Sequence, residues 1–133
     1  MKKLVIMVCM VCLILSACGG NIRNTDKIYT ESAIYSEQDI LAAMDIALDH
    51  FTLEFDGCTM ISIWYDEARS LRSANEWAAK YDADQAIILI SCFDVDSSGG
   101  DGSLNPNSRY NNWQWILTRD EGEAWKLQTW GYG

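Results

Sequence analysis

The chain has 133 residues, with 19 acidic against 10 basic side chains and a formal net charge of −9. Such a surface repels nucleic acid and anionic lipid headgroups, and it suits cations, basic peptides or basic wall components better. Six Trp and six Tyr exclude a disordered tail, and the length fits one domain with a small but real core.

The first stretch reads as an export signal. Lys2 and Lys3 are followed by an uncharged apolar run from Leu4 to Leu15 and then by Ser16 and Ala17, the order of a secretory signal. The run falls short of the roughly 20 residues needed to cross a bilayer as a helix. Leu15-Ser16-Ala17-Cys18 resembles the lipobox of bacterial lipoproteins, in which an aliphatic residue and two small residues precede an obligatory Cys. The resemblance implies cleavage before Cys18, a diacylglycerol thioether on Cys18 and an extracytoplasmic, membrane-anchored protein. Stable anchoring takes two or more acyl chains. The expected organisation is a signal peptide over 1–17, a lipidated Cys with a polar tether over 18–35 and a folded domain over 36–133. Losing Lys2 and Lys3 makes the mature chain still more acidic.

Cys9 and Cys12 leave with the signal, and two cysteines, Cys58 and Cys92, remain beside Cys18. An even pair in an oxidising compartment suggests a disulfide, worth roughly 3 kcal/mol if unstrained. The alternative is two buried thiols packing as small hydrophobes.

Ser36 is an N-cap candidate, with Asp39 three residues on. Ile40, Met44, Ala47, Leu48, Phe51 and Phe55 follow at helical spacing, and Gly57 supplies a left-handed stop. His50, the only His, sits at the edge of that stripe and reads as a half-exposed surface residue, with a catalytic or ligand role as the alternative. Thr59 to Tyr65 alternates as a strand, with Ile61, Ile63 and Tyr65 on one face. Ser73-Ala74-Asn75-Glu76 is a capping box, predicting a short helix that turns Trp77, Ala78 and Tyr81 inward. Ala86 to Val95 is apolar on both faces in its first half and reads as a central strand. Residues 96–109 form a polar, Gly-rich loop. Residues 113–118 and 124–132 read as a hairpin. In it Trp125, Leu127 and Thr129 share a face opposite Trp130. The sum is an α+β domain: one long helix on a curved, mostly antiparallel four-stranded sheet, with a second short helix.

The Tyr35-Ser36 helix start, Gly57-Cys58 before the first strand, and Trp125, Leu127 and Trp130 before Gly131-Tyr132 resemble small lipoprotein domains of Gram-positive bacteria. The resemblance implies a cystatin-like or nuclear-transport-factor-like shape and no particular chemistry.

Two constellations bear on ligands. Asp94-Val95-Asp96-Ser97-Ser98-Gly99 opens like a calcium loop, making Asp94, Asp96, Ser98 and nearby Asp101 candidate metal ligands. Against that, Asn105 stands where a bidentate Glu belongs, and a strand precedes the loop. The aromatic cluster of Trp113, Trp115, Trp125, Trp130, Tyr110 and Tyr132, the first two foremost, would line an apolar pocket, with Arg109 and Asn105 as polar contacts at its rim. Core packing of a small sheet is the competing use of these rings. No nucleophile motif, His pair or phosphate loop appears. The reading is a membrane-anchored binding or interaction module without a required cofactor. The alternatives are a small-ligand enzyme with a cone-shaped cavity, and a structural or inhibitory envelope protein.

Overall fold

The computed structural model describes residues 19–132. The signal and Cys18 lie outside that range. The elements are β1 (Asp26–Ile28), α1 (Glu37–Glu54), β2 (Cys58–Tyr65), α2 (Glu67–Lys80), β3 (Gln85–Val95), β4 (Arg109–Arg119) and β5 (Lys126–Tyr132). The five strands form one sheet in the order β1-β2-β3-β4-β5. β1 runs parallel to β2, and the other pairs are antiparallel. The α+β class and the mostly antiparallel sheet stand as expected, but the sheet has five strands rather than four. The fifth comes from the stretch read as a tether. Gly20 N–H donates to Thr52 O (3.0 Å), Asn21 brackets Cys58 and Met60, and β1 then pairs with Ser62–Trp64.

α1 starts where the cap signal placed it: Asp39 N–H donates to Ser36 Oγ (3.1 Å). Glu37 and Asp39 occupy its first turn, at the positive end of the helix dipole. Ile40, Ala43, Met44, Ala47, Leu48 and Phe51 are buried, and each large side chain among them contributes about 1.5–3 kcal/mol. The helix ends at Glu54, and Gly57 takes its left-handed turn (φ 72°) just beyond.

α2 differs from expectation. It begins at Glu67, capped by Asp66, whose carboxylate accepts from Arg69 N–H (3.0 Å). Ser73 lies inside the helix and donates to Arg69 O (3.3 Å). A Ser inside a helix spends its hydroxyl on the carbonyl four residues back, so a capping-box sequence need not be a cap.

The two helices cover opposite faces of the sheet. α1 packs on Met60, Ile63, Tyr65, Ile87, Leu89, Phe93, Trp115 and Leu117. Behind the sheet, Ile88, Ile90 and Ile116 pack with Trp64 and with Trp77 of α2. This two-sided burial explains the continuous apolar run of β3.

Three register shifts decide which side chains reach the α1 face. In β2 the shift between Met60 and Ser62 puts Met60, not Ile61, into the core beside Ile63. Opposite β3, the shift between Ser91 and Phe93 lets Tyr110 and Trp113 share a face. In β5, Leu117 pairs with Leu127 while Ile116 pairs with Thr129, leaving Gln128 as the extra residue. Trp130 therefore joins Leu127 on the α1 face and stacks on Trp115, while Thr129 turns to the other side; the predicted faces of Thr129 and Trp130 are exchanged. One inserted residue moves every later side chain across the sheet.

At the N-terminal end of α1, Arg119 clamps helix to sheet. Its guanidinium donates to both Asp39 carboxylate oxygens (3.1 and 3.2 Å) and to Gln85 Oε1 (2.7 Å), and it lies 4.1 Å over the Trp125 ring. Trp125 Nε1–H donates to Asp39 O (3.0 Å). The bonds from Arg119 hold the Asp39 carboxyl below its ordinary value.

Candidate functional site

At the other end of α1 lies a cavity of about 380 Å³, within the size range of small-molecule sites. His50, Glu54 and Phe55 enter from the end of α1, Gly100, Asp101, Ser103 and Leu104 from the loop after β3, and Trp113 and Trp130 from β4 and β5. Below it the space between helix and sheet is filled. Phe51, Phe55, Phe93 and Trp115 pack ring against ring, and Trp115 is fully buried. The site is thus a hollow at one end of the core, not a cone running through it.

The loop is built by its own side chains. Asp96 N–H donates to Gly57 O (2.9 Å) and Asn107 N–H to Asp96 O (2.9 Å), closing the loop at its base. Gly57 is required there, since a Cβ would sit 2.6 Å from both Asp96 Oδ1 and Ser98 Oγ. Consecutive left-handed glycines, Gly99 (φ 72°) and Gly100 (φ 69°), fold the chain back. Leu104 then packs against the core and walls the cavity.

Two ring nitrogens are left over. His50 Nε2 and Trp113 Nε1 are buried without a hydrogen-bond partner among the described residues, and both residues line the cavity. A buried polar nitrogen without a partner costs about 1–3 kcal/mol. The His50 ring lies 4.1 Å from that of Trp130. Burial pushes its pKa down, against a smaller opposing pull from Glu54, so the imidazole favours its neutral form. Among the described residues, the charged ones lining the cavity are Glu54 and Asp101, both exposed at the rim, and no Lys or Arg lines it.

Of the candidates named from sequence, Trp113, Trp130 and Asp101 line this site. Trp115 is beneath it, in the core, with its Nε1–H donated to Ser91 Oγ (2.8 Å). Arg109 is committed elsewhere, donating from Nε and Nη2 to the two Asp94 carboxylate oxygens (2.6 and 2.9 Å). Asn105 is exposed and donates its backbone N–H to Tyr110 Oη (3.0 Å). Trp130 belonged to the aromatic cluster named from sequence, although the β5 bulge reversed its face, and His50 was read foremost as a surface residue for want of a partner in the sequence.

The geometry lends no support to the metal and disulfide readings. Among the described residues no group of three or more His, Cys, Asp or Glu side chains could hold a metal ion. Asp94 is bound by Arg109. Asp96 accepts from the backbone N–H and hydroxyl of Ser98, and Asp101 from those of Ser103. These bonds lower all three carboxyl pKa values. Each carboxylate of the calcium-like motif, and Ser98 with it, thus takes part in a local bond. Cys58 and Cys92 are both free thiols. Cys58 is buried in the α1-side core, opposite Val95, whereas Cys92 pairs with Ser62 further along β3 and is partly exposed. Phe93 and Val95 share the α1 face, so strand alternation turns Cys92 to the other, and no S–S bond can form between them without moving a strand.

The fold and the hollow together define a small α+β domain with an aromatic, acid-rimmed site at one end. No family model, curated protein or solved structure matches this chain.

Proposed function

We propose that the protein is an exported binding module, anchored to the membrane through lipid on Cys18, that holds a small organic cation in the cavity at the end of α1. The carrying observation is a hollow walled by Phe55, Trp113 and Trp130 whose charged lining residues, Glu54 and Asp101, are both acidic. The Trp faces favour a cation, and Glu54 and Asp101 complement positive charge. The chemistry that answers both is an ammonium on an apolar or aromatic body. The exposed placement of both carboxylates favours binding over proton-transfer catalysis.

Phenylalaninol, its N-acetyl derivative and 3-phenylpropanoate are a cation, a neutral and an anion on one body. Titrated against intrinsic Trp fluorescence, phenylalaninol is expected to saturate, with a Kd on the order of millimolar. The neutral compound should bind at least tenfold more weakly and the anion not detectably. Glu54→Gln should weaken the cation alone. Equal binding of all three would remove the cation preference, and no saturable change with any of them would remove the site.

A further inference from the structure

The residues that follow the anchor are not slack. Gly19 lies flat on the last turn of α1, where a Cβ on it would stand 2.1 Å from Thr52 O. Gly20 comes as close: its N–H donates to Thr52 O (3.0 Å), and a Cβ would stand 2.4 Å from Phe51 O and 2.6 Å from the Phe51 ring. The Gly pair is therefore a close-approach device. From there the chain is held by Asn21 N–H to Cys58 O (2.9 Å), Met60 N–H to Asn21 O (2.9 Å) and Thr25 Oγ1 to Met60 O (3.2 Å), then by β1 and by Lys27 Nζ to Asp45 (2.8 Å). Cys18 is bonded directly to Gly19, so its Cα is about 3.8 Å from a backbone pinned to the domain. A free tether over residues 19–35 could instead extend by about 55 Å.

We propose that the lipid on Cys18 seats the C-terminal end of α1 directly on the bilayer, holding the domain in one orientation. This rests on the lipid anchor proposed above. The lipid's glycerol belongs at the interface, and the headgroup layer is only roughly 5–7 Å deep on each side, so the end of α1 must enter or touch it. Leu53, adjacent to Thr52, is 75 % exposed there, and a large apolar side chain without a protein partner fits the interface. Glu54, Asp56, Asp96 and Asp101 share this end, so the surface matched to it is zwitterionic rather than anionic. The β4–β5 turn stands at the opposite end, beside the Arg119–Asp39 clamp. The two ends are separated by the 18 residues of α1, about 27 Å.

The test uses the full lipidated chain in phosphatidylcholine vesicles, with Cys92→Ser removing the partly exposed thiol. Bimane is attached at Leu53→Cys or at Glu121→Cys, and quenching by lipids carrying a nitroxide near the headgroup is compared. Quenching at 53 should exceed that at 121 at least fivefold. Gly20→Val, which drives a branched side chain into the Phe51 carbonyl, should release the segment and erase most of the difference. Vesicle-bound protein quenched equally at both positions would overturn the fixed orientation while leaving the anchor intact. Protein that fails to float with the vesicles would overturn the anchor and the orientation together.

Discussion

His50 shows how one side chain takes its properties from what is packed on it. Phe55, Trp115 and Trp130 surround its ring, and Glu54 on its own helix and Asp101 on the loop are the charged groups of the same cavity. Because burial lowers its pKa, the unfolded chain binds the proton more readily than the folded one. The resulting stability is fully present above the unfolded value of 6.5 and is lost as pH falls through the folded value. Melting temperature should therefore drop as pH goes from about 7 to about 4.5, and His50→Gln should flatten that slope. Asp39 and Asp94 act in a separate window. Their lowered pKa values give stability above the unfolded carboxyl value, near 3.8, that disappears only in stronger acid. An unchanged slope in the Gln variant would mean the imidazole titrates freely.

Among the elements, α2 carries the sharpest test, because sequence and structure assign its start to different residues. If Asp66 is the cap, Asp66→Ala should cost about 1 kcal/mol in chemical denaturation. Ser73→Ala should be close to neutral, since its hydroxyl only back-bonds to Arg69 O. The reverse ranking would restore a helix beginning at Ser73. β5 makes the same point for a strand. Its hydrophobic alternation was legible, but the extra residue Gln128 was not, and with it went the side on which Trp130 falls. A bulge leaves little trace in composition, because it is chosen by how two strands twist together.

For the whole molecule, the cysteines report on how the sheet is assembled. Cys58 is 2 % exposed, and burial pushes its thiol up to about 11, so it should resist a thiol reagent in the native state. Cys92, partly exposed, should react first. Mild oxidation should leave the domain's mass and melting temperature unchanged, with both thiols recovered on unfolding. An intramolecular loss of two hydrogens between them would mean that β2 and β3 pair in another register. The same assembly fixes the cavity, since its walls come from a helix end, a loop and two strands distant in sequence.

Local signals were enough for much of this. The Ser36 cap, the apolar stripe of α1, the two-sided burial of β3, the terminal hairpin and the α+β class can all be read from neighbouring residues, because capping and periodicity act over a few positions. The folded chain alone decided the rest. Residues 19–28 became an edge of the sheet, the calcium-like carboxylates took bonds from their own turns and from Arg109, and the two thiols were parted. His50, Trp113 and Trp130 were drawn into one hollow. Each of these depends on register, bulges and close backbone approach, which are set by contacts between segments far apart in the chain.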